Sequence, residues 1–311
     1  MANLGVTFLC LATIAWGGMF PAAKIALASL DPVTITFVRY FAVSLVLIPF
    51  VWGRHGAGWN RAGLAGAALG GVIGIAGFNV LMLYGLQHTT PERAAVVMAL
   101  LPLVTGILRW LIGEERLKAL DVVCLSTASL GIFLLVSHGD SSEIWRGSSG
   151  GGELMVVGGV VCWACYTIIT SRVRSLTAMQ YTFAATAAGS LCLAPILAMA
   201  EIFGWSAALT ISSFKAAAWP LAYMITLGGA VAIFAWSKGV RLVGSLNAAL
   251  FINLIPITAF VIGIAAGHSI VTTDLLGGSL VILSLIVHNV VSRSSRTFFS
   301  NAPKEKLNAL R

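Results

Sequence analysis

Residues 94–117 read AAVVMALLPLVTGILRWLIGEERL. The run 94–112 holds a single charge, Arg109, and then breaks at Gly113-Glu114-Glu115-Arg116. At ~1.5 Å per residue, such a run crosses a hydrocarbon layer of ~30 Å, so it reads as a membrane helix. A second copy lies 154 residues further on. Ala94-Ala95 pairs with Ala248-Ala249, Leu100 with Leu254, Pro102 with Pro256 and Gly113 with Gly267; upstream, Gly85 pairs with Gly239. A shift of 147 pairs Trp16 with Trp163. The identities are sparse and gapped, as in an old internal duplication.

The rest of the chain has the same character. Of 311 residues, 58% are apolar and 10% charged, and the mean hydropathy is +0.94. So few charges cannot cover a soluble domain of this size, which argues against soluble enzymes and nucleic-acid binders. Ten apolar spans can be read, at 4–28, 34–52, 63–86, 94–112, 119–137, 154–171, 177–200, 216–237, 245–266 and 272–291. The first, lacking a basic leader, reads as a retained helix rather than a cleaved signal. Each half then holds five helices. Five is odd, so the second half enters the membrane the opposite way up. The expected fold is an all-α membrane protein: ten transmembrane helices in two inverted five-helix repeats around a central cavity among helices 1, 3, 4, 6, 8 and 9. The expected organisation is a first repeat at 1–137, an outer loop at 138–153, a second repeat at 154–291 and a basic tail at 292–311.

Charge placement orients the chain. With the N-terminus in the cytoplasm, only Arg93, Arg146 and Lys215 of the 19 Lys and Arg fall in outer loops. Lys24, Arg39 and Arg109 lie within or just inside spans, and the remaining thirteen fall in cytoplasmic segments. That bias places both termini inside, so the net charge of +8 reads as orientation rather than an anionic partner.

The stretch at 94–117 resembles the helix 4 signature of the drug/metabolite transporter superfamily, and WGGMFPAAK at 16–24 resembles that superfamily's first helix. Length and the five-plus-five repeat are similar to its EamA-type branch over residues 1–291. The resemblance implies a multi-pass carrier of the cell inner membrane that exports small metabolites by alternating access. Two positions depart from the family pattern. Ile255 stands where an acidic residue often precedes the helix 9 proline, and Gly267-His268 replaces a Gly-Glu ending.

The residues bear on mechanism. All 11 acidic residues fall at helix ends, in loops or in the tail. A cation-coupled carrier commonly holds a carboxylate at membrane depth, so facilitated transport is the simpler expectation. Glu92 and Asp274 are the fallback proton sites. Neither a catalytic constellation nor a Walker-type phosphate loop is present, so no enzyme, cofactor or metal site is expected. Cys162-x-x-Cys165 sits alone in an apolar span and reads as packing.

Candidate substrate-binding residues are the polar and aromatic side chains at depth: Phe78, Asn79, Met82, Trp163, Tyr166, Trp236 and Asn253. Each amide serves equally as interhelical glue, and each aromatic as core packing. Trp163 and Tyr166 share a helix face. A pocket lined this way suits a molecule with an apolar group. Amino acids with apolar or aromatic side chains are the favoured partner. Nucleotide-sugars or other organic anions are the alternative, and a proton-coupled antiporter a further one. Pro102 and Pro256 are candidate gating kinks. Lys24 and Arg39 are read as rim charges toward the outer helix ends, either snorkelling, with Asp31 as a partner, or attracting a substrate carboxylate. A channel-like pore, a membrane-embedded enzyme and a structural subunit are the rival classes. The expected partners are a small-molecule substrate and the bilayer, with no nucleic acid, in a monomer or weak dimer.

Overall fold

The computed structural model describes residues 2–52, 59–98, 100–114, 119–137, 150–203, 210–243, 250–267 and parts of 272–287. All regular structure among the described residues is helical. The principal helices are α1 (Ala2–Ala26), α2 (Pro32–Trp52), α3 (Arg61–Gln87), α4 (Arg93–Leu111), α5 (Ala119–Ser137), α6 (Gly151–Arg172), α7 (Met179–Ala200), α8 (Ala218–Trp236), α9 (Leu254–Ala265) and α10 (Leu275–Ser284). Seven of them, α1 to α4 and α6 to α8, are long and apolar enough to cross a membrane. α5, α9 and α10 occupy the other three expected spans.

Short polar signals set the helix ends. Asp31 Oδ1 accepts from Val33 N and Thr34 N at 2.9 and 3.0 Å and opens α2. Asn60 caps α3, and Thr177 with Gln180 forms a capping box before α7. Lys24 Nζ, at the end of α1, donates to the Gln87 and Thr89 carbonyls at 3.2 and 2.8 Å, and also to that of Leu86. A cation there neutralises the negative end of α3.

This contact also shows the inversion. The C-terminal end of α1 lies at the C-terminal end of α3. Glu153, in the first turn of α6, accepts from Thr89 just beyond α3. α6 therefore starts at the bundle end where its repeat-mate α1 finishes.

The packing obeys the same symmetry. α3 lies along α6, and its mate α8 lies along α1. α4 packs on α6 as α9 packs on α1. α2 with α7 and α4 with α9 are self-related pairs. One apolar cluster draws on α1, α3, α4, α6, α8 and α9, through residues such as Phe20, Met82, Val97, Val160, Met224 and Ile255. The six helices expected around a central cavity thus converge, and in this conformation they meet through packed side chains.

Two features were not legible in the apolar pattern. α3 is π-wound over Gly71–Gly77 and α8 over Thr226–Val231. The 154 shift superimposes these segments. A π turn inserts a residue and rotates every side chain that follows it. The prolines also sit differently from expectation. Pro102 is the second residue of the segment Leu101–Leu111 and Pro256 the third of Leu254–Ala265. In a first turn the missing N–H costs no intrahelical bond, so each proline opens an α-helical segment, that of Pro256 following directly on the 3-10 turn Leu250–Asn253. Their side chains lie outside the described ones.

Candidate substrate-binding site

Four aromatic rings form a continuous wall across α3, α6 and α7. Phe78 meets Trp163 at 4.9 Å between centroids, Trp163 meets Tyr166 at 4.9 Å, and Tyr166 meets Tyr181 at 5.7 Å. Gly74 makes the wall possible. A Cβ there would overlap the Cβ and ring of Tyr166, so only glycine lets α6 bring Tyr166 against the π segment of α3. Met82 lies one turn beyond Phe78 and is buried.

A polar cluster borders this wall. Asn79 follows the π segment, is fully buried, and donates from Nδ2 to the Ile75 carbonyl at 2.8 Å. Its Oδ1 is left facing α2, where it accepts from Arg39 Nη1 at 3.2 Å and Tyr40 Oη at 3.3 Å. The Arg39 guanidinium lies over the Tyr40 ring, 4.6 Å from its centroid. Nη2 reaches Met19 Sδ of α1 at 3.4 Å, and among the described residues Nε has no hydrogen-bond partner. Tyr40 packs in one cluster with Ile75 and Tyr181, against Trp163 and Tyr166. The wall and the polar cluster are therefore contiguous.

Arg39 corrects the rim reading. Its side chain is 3% exposed and turns toward α1 and α3. It starts seven residues inside α2, and Asn79 eight residues from the end of α3, so the cluster lies ~10–12 Å from the helix ends. A snorkelling Arg carries its head to water; this one is held by an amide and an aromatic face. Lys24 closes α3 rather than lining a rim, and Asp31 caps α2 rather than pairing with Lys24.

Trp236 does not join the wall. Its ring packs on Trp16 at 5.2 Å in the mate seam between α8 and α1. There Trp16 Nε1 donates to the Gly228 carbonyl at 3.1 Å, and Tyr223 Oη to that of Ala15 at 2.9 Å. The side chain of Asn253 lies outside the described residues, as do those of Glu92 and Asp274, the tail 292–311 and loop residues 138–149.

Two charged closures bracket the seam of α4 with α6. At one end Glu153, 2% exposed, faces buried Arg93 at 4.0 Å and accepts from Thr89 Oγ1. At the other, exposed Glu114 accepts from Arg172 Nη2 at 2.7 Å and Arg109 Nε at 3.2 Å. The hydrogen bonds from Arg172 and then Arg109 hold the Glu114 carboxyl below the usual carboxylate range.

Tyr40, Tyr181 and Glu153 escaped the sequence reading. Tyr40 adjoins Arg39 and Tyr181 lies one turn after the Thr177 cap, but only packing brings them to Asn79 and Tyr166. Glu153 sits at the boundary of a polar glycine-rich loop and reads there as solvated. The signal is its spacing: it follows Gly150 by three residues, in the first turn of the next helix.

The family comparison decides the class. The EamA-like transporter family matches residues 3–137 and again 150–290. The chain belongs to the EamA-like transporter family. It is an integral membrane transporter and not an enzyme. Similar proteins include an uncharacterized transporter, YrdR, of Bacillus subtilis (strain 168), 28% identical over 98% of this chain and 97% of the relative. Another is an uncharacterized inner membrane transporter, YedA, of Escherichia coli (strain K12), 26% identical over 82% and 80%. A crystal structure aligns at TM-score 0.61 and 16% identity, over 93% of this chain and 98% of that one, which shows a shared fold.

Proposed function

We propose that this EamA-family transporter exports amphipathic metabolites across the inner membrane, with both termini in the cytoplasm. Amino acids carrying apolar or aromatic side chains fit it best. The observation that supports this is the aromatic wall Phe78–Trp163–Tyr166–Tyr181 with Asn79, Tyr40 and Arg39 along one edge, built where the two repeats meet. An apolar group stacks on the wall while polar groups face the cluster. The inverted repeats supply the two-state scaffold for alternating access. Pro102 and Pro256, each in the first turn of an α-helical segment of α4 and α9, are proposed as the gating points.

The transport is facilitated in this reading. Buried Glu153 favours a second one, in which protons drive antiport through that carboxylate.

The test is uptake of labelled phenylalanine and leucine into proteoliposomes, with and without a pH gradient. Saturable uptake without a gradient, reduced about tenfold in Trp163→Ala, is the expected result. Uptake only with a gradient, lost in Glu153→Gln, establishes the second reading. Absence of saturable uptake for every apolar amino acid rejects both.

A further inference from the structure

We infer that Arg39 is the carboxylate-recognising residue of this transporter and that its substrates carry a carboxylate beside their apolar group. The inference rests on the amphipathic-substrate reading and narrows it to one chemical class.

The geometry of the guanidinium carries the argument. A carboxylate docks on arginine through two parallel N–H donors along one edge of the plane. Here Nη1 is committed to Asn79 Oδ1 at 3.2 Å, and one face of the plane covers Tyr40. The remaining edge is Nε with Nη2. Among the described residues, Nε is buried and without a hydrogen-bond partner, and Nη2 donates only to the Met19 thioether, at 3.4 Å. A thioether is a weak acceptor, so this edge presents both donors of a bidentate site and no strong acceptor for either.

The surroundings favour an anion from outside the fold. Among the described residues, no carboxylate forms an ion pair with Arg39. Asp31, the acidic residue near the start of the same helix, is occupied by its cap and by Thr34 Oγ1 at 2.5 Å. A buried guanidinium without a counter-charge is costly, and an entering carboxylate relieves that cost. Met19 is the side chain that gives way. It is unbranched and flexible, and it occupies the α1 position matching Tyr166. Asn79 and Tyr40 are the positioning residues. They fix the fork so that the bound molecule's apolar group falls along Phe78 and Trp163.

The experiment uses purified full-length protein in proteoliposomes, with four labelled probes: phenylalanine, 3-phenylpropionate, phenethylamine and butyrate. The expected result is uptake of phenylalanine and 3-phenylpropionate at least about tenfold above phenethylamine, with the preference abolished in Arg39→Gln and partly kept in Arg39→Lys. Phenethylamine taken up as well as 3-phenylpropionate overturns the inference. So does an undiminished preference in Arg39→Gln. Butyrate carried as well as the aromatic acids, and lost in Arg39→Gln, keeps the carboxylate site and rejects the aromatic wall. Uptake of none of the four rejects both. If Arg39→Gln does not fold, the wild-type preference between 3-phenylpropionate and phenethylamine decides.

Discussion

The seam of α3 with α6 and the seam of α8 with α1 share one backbone and differ in chemistry. Each has a π segment, a glycine in the middle of it and a side chain of the mate repeat on that glycine. Gly74 receives Tyr166; Gly228 receives Met19. The rest diverges. Phe78 and Asn79 correspond under the 154 shift to Ala232 and Ile233. Counted from the capping residues Asp31 and Thr177, Arg39 corresponds to Ala185 and Tyr40 to Thr186. Glu153, Arg93 and Thr89 correspond to Val6, Asn247 and Val243. Duplication supplied a symmetric scaffold, and this polar chemistry stands in one of the two seams. Backbone devices tolerate few residues and so persist, whereas side chains that do not shape the backbone are free to specialise.

Paired substitutions test that contrast. The largest effect is expected at the buried closure. Glu153→Ala breaks a buried ion pair and is expected to cost about 3–5 kcal/mol. Val6→Ala, its mate on a partly exposed surface, stays within about 0.5 kcal/mol. Thermal unfolding in detergent reads both, and equal costs would mean that the two seams are closed alike.

Next are the glycines. Gly74→Ala drives a methyl into the Tyr166 Cβ, which is fixed by its helix, and is expected to cost about 3 kcal/mol. Gly228→Ala meets the Met19 thioether, which can swing away, and is expected to cost about 1 kcal/mol. The reverse order would show that the Met19 seam is the rigid one.

A smaller difference is expected at the second residue after each π segment. Asn79→Leu removes the acceptor of Arg39 and Tyr40 and is expected to cost about 2 kcal/mol. Ile233→Leu is a volume-conserving swap expected to cost under about 1 kcal/mol. The same melting assay reads both, and parity would reduce Asn79 to packing.

The smallest effect concerns the exposed closure. The Glu114 carboxyl is depressed below its ordinary value of 4.5 by Arg172 and Arg109. Its contribution to stability is therefore present above that value and is lost as pH falls through the lowered one. The melting difference between wild type and Glu114→Gln is expected to fade on acidification and in high salt, because the pair is exposed and screened. A salt-independent difference would place Glu114 in a drier setting than its exposure shows.

Much of the fold was legible because a membrane leaves few choices. Backbone groups in hydrocarbon must be satisfied within the segment, so apolar runs of the right length become helices. The matching prolines and glycines at a 154-residue interval showed the duplication, and the odd helix count required its inversion. Of the candidate site, Phe78, Asn79, Trp163 and Tyr166 were legible as unusual side chains at depth. Trp236 looked equivalent, yet it faces the other seam. Hydropathy gives depth along a helix but not rotation about its axis.

By itself the sequence determined a helical membrane protein with two inverted repeats and the family it belongs to. These depend on local patterns and length, which one chain displays in order. Only the tertiary structure decided that Arg39 turns inward onto Asn79, Tyr40 and Met19, that Glu153 is a buried closure, and that the aromatic wall stands in one seam alone. Those outcomes depend on how π turns rotate α3 and α8 and on which helix lies opposite. Packing sets both, through contacts between residues far apart in the chain.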